Sequence, residues 1–272
     1  MSAGTSQAVG DERGRIPAET RTAGRLRALG RAELTLLGRN KSALYTSLFL
    51  PIVIAFAMKQ TVGSMNLAGT GLSVETVLLP GALGYVLLFA VYSNLTVAYA
   101  ARREELVLKR LRTGELRDLE ILTGTALPSV VIGLAQCALF VVVGGPALGT
   151  GLPSAPHLLI AGVLLGTVTV VGLAAVSSVF ARSAEAAQLT VMPFMMLSMG
   201  GSGMVVPLDV LPDRIAAFLE FLPLSPAMEL IRGGWTGGGD LKATVGQLIT
   251  GLAWAGLALF AVQRWFRWEP RR

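Results

Sequence analysis

The sequence predicts an all-α membrane protein with six transmembrane helices and with both termini in the cytoplasm. Hydrophobic residues make up 53% of the 272 residues and charged residues 15%, and the mean hydropathy is +0.62. A soluble domain carries roughly 25% charged residues to cover its surface. The charges here are clustered, and long uncharged apolar stretches separate the clusters. This pattern is typical of a multi-pass membrane protein.

Six apolar stretches are long enough to span a membrane, because crossing about 30 Å of hydrocarbon as a helix takes about 20 residues. The predicted spans are 43–61, 76–100, 120–144, 158–181, 186–206 and 243–263. Only a few residues around Arg182 and Glu185 separate the fourth and fifth spans, which predicts a tight helical hairpin.

The lysine and arginine residues predict the orientation of these spans. Nineteen of the 23 lie before the first span, in the 101–119 loop, after the fourth span, or after the sixth. These four segments fall on one side of the membrane if the spans alternate. Basic residues are enriched in cytoplasmic loops, so this side is predicted to be cytoplasmic. The four basic residues on the other side are Lys59, Arg214, Arg232 and Lys242.

The chain is predicted to have four parts. Residues 1–19 have little to bury and are predicted to form a disordered cytoplasmic tail. Segment 20–41 combines regularly spaced leucines with many arginines, which predicts a basic amphipathic helix. That helix either lies on the cytoplasmic membrane surface or packs against the rest of the protein. Residues 42–264 form the transmembrane domain, and 265–272 form a basic cytoplasmic tail. No apolar signal core occurs in the first forty residues, so the N-terminus is expected to be retained.

Small residues within the later spans predict close packing between helices. Glycine lets two helix backbones approach each other in a membrane. The glycines concerned are Gly162, Gly166, Gly200, Gly201, Gly203, Gly246, Gly251 and Gly256.

The cytoplasmic loop after the second span is unusual because it is too polar to enter lipid. Leu108 and Leu111 stand three residues apart. The acidic pair Glu104 and Glu105 precedes them, and the basic pair 109–110 lies between them. Opposite charges about one helical turn apart favour a short helix. The loop is either a docking surface for a soluble partner or a solvated turn that only biases the orientation.

The external loop 207–241 is too long for a simple connector. Pro212 and Asp213 suit the start of a helix, and apolar residues then recur at helical spacing. The recurring residues are Ile215, Phe218, Leu219 and Leu222. The sequence therefore predicts an amphipathic helix over 212–222, ended by Pro223 and Pro226. It either lies in the interface, dips into the bilayer as a re-entrant element, or covers the bundle as a surface helix.

Both loops resemble the ABC-2 type transporter permeases, the membrane subunits of ATP-driven exporters, and the resemblance covers residues 24–263. The cytoplasmic family pattern R-E-E-G-T-L-K-R-L-R-x-x-P is matched by Arg103-Glu104-Glu105 and by Leu108-Lys109-Arg110-Leu111-Arg112. Leu106 replaces the glycine and Glu115 replaces the proline. The external pattern G-x-x-x-P-L-x-x-L-P, then L-P-L-(S/T)-x-A, is matched by Gly203, Pro207-Leu208, Leu211-Pro212, Leu222-Pro223-Leu224-Ser225 and Ala227.

The resemblance implies a permease of the cytoplasmic membrane that exports a lipophilic small molecule, such as a drug, an antibiotic or a lipid. Two permease subunits, identical or related, would sit among membrane lipid on two cytoplasmic ATPase subunits. The coupling helix that the ATPase moves would comprise Arg103, Glu104, Glu105, Leu108, Lys109, Arg110, Leu111 and Arg112. The external re-entrant motif would comprise Pro207, Leu211, Pro212, Phe218 and Pro223.

No catalytic, cofactor or metal site is predicted. The sequence lacks a G-x-x-x-x-G-K-[S/T] phosphate-binding loop, so ATP hydrolysis is expected in a partner subunit. Its one histidine, His157, and one cysteine, Cys137, supply no metal-ligand spacing. The basic charge follows the membrane spans, so nucleic-acid binding is not expected.

Two other classes of membrane protein compete with this interpretation. A secondary transporter usually keeps ionisable groups at mid-membrane depth, whereas the acids and the lysine near these spans fall at span ends. They are Glu75, Glu120, Glu185 and Lys242. A scaffold or immunity-type membrane protein needs no particular residues, so the sequence leaves that alternative open.

Overall fold

The computed structural model of the protein describes residue 35 and residues 77–112, 117–148, 151–208, 211–238, 240–266 and 268. The predicted tail 1–19 and the predicted first span 43–61 lie outside the described residues. So does the predicted amphipathic helix 20–41, apart from residue 35. Every regular element in the described ranges is a helix.

Nine helices follow one another in the described part of the chain. They are α1 (Leu79–Glu104), α2 (Val107–Arg112), α3 (Asp118–Gly144, continued directly by the helical turn Gly145–Leu148), α4 (Pro156–Ser178), α5 (Ala184–Thr190), α6 (Met192–Gly201), α7 (Asp213–Leu219), α8 (Ser225–Thr236) and α9 (Leu241–Trp265).

Four of these helices are long and apolar enough to cross a membrane: α1, α3, α4 and α9. They correspond to the predicted second, third, fourth and sixth spans. Each end of these helices lies within four residues of the predicted end. The chain is therefore an all-α, multi-pass membrane protein. Of the four, α1 is the most enclosed by its neighbours, while most of α9 faces outward.

The predicted fifth span, 186–206, is divided and shorter than expected. The helix breaks at Val191, between α5 and α6. Pro193 lies in the first turn of α6, and its ring nitrogen has no hydrogen to donate to the preceding turn. The helix then ends at Gly201, and Gly203 adopts a left-handed conformation with φ of +71°. Residues 202–206 therefore leave the helix.

Helix α8 shows that Pro226 starts a helix as well as following the end of one. Proline has no backbone N–H, but the N–H groups in the first turn of a helix have no partner within the helix. Pro226 lies in that first turn, so its missing N–H costs no helical hydrogen bond. Gly237, with φ of +95°, ends the helix, and Gly237 and Gly238 both donate backbone hydrogen bonds to the Gly233 carbonyl. The sequence therefore carries start and stop signals for this helix.

Helices α4 and α8 pack with their backbones in close contact. A Cβ added to Gly162 would lie 2.8 Å from the Ala227 carbonyl oxygen, and one added to Gly234 would lie 2.7 Å from the Leu159 nitrogen. Gly251 of α9 packs against the side chain of Leu165 of α4. Among the residues that the structure describes, no close contact is found at Gly200, Gly246 or Gly256, where an added Cβ would have no neighbour within 4 Å.

Candidate functional site

The residues predicted as a coupling helix lie at one end of the bundle but do not form one helix. Arg103 and Glu104 are the last two residues of α1, and α2 begins only at Val107. Glu105 and Leu106 form the turn between the two helices. The expectation of a single helix over 103–112 is therefore corrected to a helix end, a tight turn and a six-residue helix.

Leu106 makes this turn in a conformation that disfavours a leucine. Its φ is +59°, in the left-handed region, where a Cβ crowds the following carbonyl oxygen at a cost of about 1–2 kcal/mol. In the cytoplasmic family pattern that this loop resembles, the position of Leu106 is a glycine. Glycine adopts this conformation without the steric cost. The turn is thus kept, but with a strained residue.

We expect Leu106→Gly to raise the free energy of unfolding by up to about 1 kcal/mol. The relief of steric strain is partly offset by the greater freedom that glycine gives the unfolded chain. Thermal unfolding of the purified protein in detergent measures the change. Leu106→Ala is the control, because alanine keeps the Cβ and should give no gain. Equal or lower stability of Leu106→Gly relative to Leu106→Ala would contradict the strain.

Arg103 and Glu104 attach the end of α1 to the corner between α4 and α5. Arg103 is 2% exposed, and its guanidinium donates a hydrogen bond to the Ala181 carbonyl. The Glu104 Oε2 accepts a hydrogen bond from the backbone nitrogen of Ala184, 3.1 Å away, in the first turn of α5. A carboxylate at a helix N-terminus is stabilising because it satisfies a backbone donor and faces the positive end of the helix dipole.

The inner side of α2 is attached to the rest of the bundle at two points. The Leu108 side chain is fully buried. At the end of α2, the Arg112 Nε lies 3.1 Å from Asp118 Oδ1, at the start of α3. The Arg112 guanidinium also lies 5.0 Å from the centre of the Trp268 ring, which is a cation–π contact.

Aromatic side chains continue this attachment to α1. Trp268 contacts Phe266, and Phe266 contacts Tyr99 of α1, with ring centroids 5.1 and 6.0 Å apart. The Tyr99 hydroxyl donates to the Leu122 carbonyl at 2.8 Å. The segment after α9, for which the sequence predicts a basic tail with aromatic residues at the membrane interface, therefore contacts α1 and α2 at this end of the bundle.

The outer side of the same region presents charges of both signs. Glu105 on the turn and Lys109 and Arg110 on α2 are exposed. The Glu105 carboxylate has no ion-pair or hydrogen-bond partner in the part of the chain that the structure describes. Leu111 is half-buried, so the exposed surface is formed mainly by the charged residues. Such a surface can recognise a partner by charge complementarity.

The predicted external motif is spread over a buried segment and an exposed helix. Pro207 is buried, Leu211 and Pro223 are half-buried, and Pro212 precedes α7. Helix α7 spans Asp213–Leu219 and has no buried residue, and Phe218 is 71% exposed.

The apolar face expected for α7 is divided in two. Leu219 and Leu222 approach Gly201, whereas Ile215 and Phe218 point away from the protein.

Sequence reasoning missed an ion pair on α8 between a buried arginine and a half-buried glutamate. Arg232 is 5% exposed, and its Nη1 lies 2.5 Å from the Glu229 Oε1, one helical turn away. Its Nη2 donates to the carbonyl of Gly203. Arg232 therefore holds the segment after α6 against α8. The acid–base spacing of three residues is the signal available in the sequence, whereas the orientation argument treats Arg232 only as an external charge.

In the described ranges, no group of three histidine, cysteine, aspartate or glutamate side chains comes together as metal ligands would.

Comparison with protein families identifies the family of this chain. The family model described as ABC-2 type transporter matches residues 24–235, which is more than half of the chain. A search of curated proteins finds no match to this chain.

Proposed function

This chain belongs to the ABC-2 type transporter family and is a permease subunit of an ABC transporter in the cell membrane; we propose that it exports a lipophilic small molecule. The energy would come from ATP hydrolysed by a separate cytoplasmic ATPase subunit. Members of this family generally work with such a partner. We further propose that two permease subunits, identical or related, form the export pathway between them.

The observation that carries this proposal is the arrangement around α2. Its outer side exposes Glu105, Lys109 and Arg110 to the aqueous phase. Its inner side is attached through Leu108 and Arg112 to the bundle. A partner that moves α2 therefore moves the ends of the spans as well.

The bonds between α2 and its neighbours determine which helices would move with it. Helix α2 is joined to α1 by a turn of only two residues, Glu105 and Leu106. The end of α1 is bonded to the α4–α5 corner, and Arg112 is bonded to the start of α3. We propose that closure of the ATPase dimer on ATP pushes α2, and that the spans follow as packed elements with two discrete arrangements.

The lipophilic class of cargo is supported by the surface of α5 and α6. Leu189, Met192, Met196 and Leu197 are all exposed there. Methionine is flexible and polarizable, so it can adapt to apolar molecules of different shapes. We propose that this face contributes to the export pathway between two permease subunits.

The orientation predicts which residues a membrane-impermeant thiol reagent will reach. After Cys137→Ser, we expect a single cysteine at Phe218 to be labelled from outside intact cells. A single cysteine at Lys109 should react only after the membrane is permeabilised, because the basic segments lie on the cytoplasmic side. Both positions are exposed on the protein, which makes them a matched pair. Labelling of position 109, but not 218, in intact cells would reverse the orientation.

Nucleotide-driven uptake into inverted membrane vesicles tests the function. The chain is coexpressed with its cytoplasmic ATPase, and a lipophilic fluorescent dye serves as the probe. We expect the dye to accumulate when ATP is added and to continue accumulating in the presence of a protonophore. A secondary transporter would instead lose uptake with the protonophore and would take up dye with a proton gradient alone. That result would overturn the proposed ATP-driven mechanism.

A further inference from the structure

A long apolar groove runs between α3, α4 and α9, outside the coupling region. Its volume is about 570 Å³. Leu122 and Val130 of α3, Val171 of α4, and Leu252 and Leu259 of α9 are among the residues that line it. Both α3 and α9 pack on α4, which forms the floor of the groove.

The surface of the groove is almost entirely apolar, although three of its lining side chains carry hydroxyl groups. The Tyr99 hydroxyl donates to the Leu122 carbonyl, and the Thr167 hydroxyl donates to the Val163 carbonyl. The Thr123 hydroxyl donates to the Leu119 carbonyl. Because each of these hydroxyls donates its hydrogen to a carbonyl of its own helix or of a neighbouring one, none of the three offers a free donor to a ligand in the groove. Its occupant is therefore apolar.

The groove occupies one half of the membrane thickness. It runs along α3 from Leu119 to Val130 and along α9 from Val262 back to Leu252. At 1.5 Å per residue, these stretches are about 15–18 Å long, which is about half of a 30 Å hydrocarbon core. Asp118 and Trp265 mark the end of the bundle at which the groove begins. The groove thus matches the acyl region of a single leaflet on the α2 side.

The end of the groove nearest α2 has the character of a lipid headgroup site. A smaller cavity of about 220 Å³ shares Leu119, Leu122 and Val262 with the groove. It adds the polar and aromatic side chains Asp118, Gln263, Phe266 and Trp268. Tryptophan is enriched where membrane meets water.

Arg112 stands beside this smaller cavity, bonded to Asp118 and stacked on Trp268. A cation and an acid side by side are complementary to a zwitterionic headgroup.

We propose that the groove binds one acyl chain of a zwitterionic phospholipid from the leaflet on the α2 side. The phosphate of the lipid faces Arg112, and its ammonium group faces Asp118. The Arg112–Asp118 bond uses Nε, and the two terminal guanidinium nitrogens make no hydrogen bond within the described residues. They can therefore bind phosphate. The bound lipid joins α3, α9 and the end of α2.

Two glycines of α9 provide a matched test. A Cβ at Gly256 or at Gly246 would have no neighbour within 4 Å in the described ranges, which leave room for a larger side chain at both positions. Gly256 lines the groove, whereas Gly246 lies ten residues earlier on the same helix and outside it. Gly256→Phe therefore fills the groove, and Gly246→Phe adds the same ring elsewhere.

The probe is phosphatidylethanolamine with a photoactivatable diazirine in one acyl chain, used with the full-length protein in lipid nanodiscs. We expect labelling to concentrate in peptides that contain residues 119–130 and 252–262. Gly256→Phe should reduce that labelling about tenfold, and Gly246→Phe should leave it unchanged. Arg112→Ala should reduce it to the level seen with a diacylglycerol probe that lacks the phosphate.

Competition provides a second measurement that needs no variant. Excess unlabelled phosphatidylethanolamine should suppress labelling of the groove peptides in the native protein, because a site saturates. Labelling that is spread evenly over the outward face of α9, or that does not saturate, would mean ordinary boundary lipid and would overturn the proposal. So would equal labelling of Gly256→Phe and Gly246→Phe. Groove peptides that stay unlabelled in the native protein would mean that something other than phospholipid covers the groove, which would overturn it as well.

Discussion

Reversing the charge at Glu105 is expected to stop ATP-driven export while leaving the permease folded and inserted. Glu105→Lys should lower nucleotide-driven uptake into inverted vesicles at least about tenfold, since a like charge at a docking surface costs several kcal/mol. The double variant Glu104→Lys/Glu105→Lys should abolish uptake. The single variant is the more informative, because Glu104 also accepts a hydrogen bond at the start of α5.

The control for Glu105→Lys is a second glutamate-to-lysine substitution at an exposed residue far from α2. Glu220 follows α7 and is exposed, so Glu220→Lys changes the net charge equally without touching α2. We expect Glu220→Lys to retain wild-type uptake. Both variants should reach the membrane in wild-type amounts. Wild-type uptake by Glu105→Lys would contradict a docking role for the turn between α1 and α2.

The largest expected effect on stability is at Arg232. Arg232→Met removes the bond to the Gly203 carbonyl and breaks the ion pair of Arg232, which is buried, with Glu229, which is 19% exposed. Breaking a buried ion pair by removing one partner costs about 3–5 kcal/mol. Thermal unfolding in detergent should show a midpoint about 10 °C lower than that of the native protein.

Two further variants separate the buried pair from a general effect of charge. Arg214→Met removes an exposed arginine of α7 and should change the midpoint little. Arg232→Met combined with Glu229→Gln should recover part of the loss, because no buried charge is then left alone. A midpoint for Arg232→Met equal to that of Arg214→Met would show that the pair does not hold the segment after α6.

The four helices that are long and apolar enough to span a membrane, α1, α3, α4 and α9, were predictable because mean hydropathy is averaged over about 20 residues and is little affected by errors at the ends. Helix α8 was not predicted, although it has Pro226 in its first turn and Gly237 after its last residue. It is too short and too polar for a span, and its stability comes from packing on α4 rather than from its own sequence pattern.

The candidate site was predictable in its position but not in its shape. Mixed charge in the 101–119 loop indicated an exposed polar element. The leucine itself does not indicate the left-handed conformation of residue 106, because a Cβ disfavours that conformation; the signal in the sequence is that the family pattern has glycine at this position. The burial of Arg103 and Arg232 also depends on carbonyl groups far along the chain, at Ala181 and Gly203. Such long-range partners are set by tertiary packing.

Site-specific photo-crosslinking from α2 tests the central claim most directly. A photoreactive amino acid replaces Lys109 in one variant and Phe218 in a second, and both positions are exposed. We predict that position 109 captures a protein whose peptides include a G-x-x-x-x-G-K-[S/T] phosphate-binding loop, and that position 218 does not. Capture of this ATPase from position 218 and not from position 109, or from neither, would contradict the proposal that α2 is where the ATPase acts.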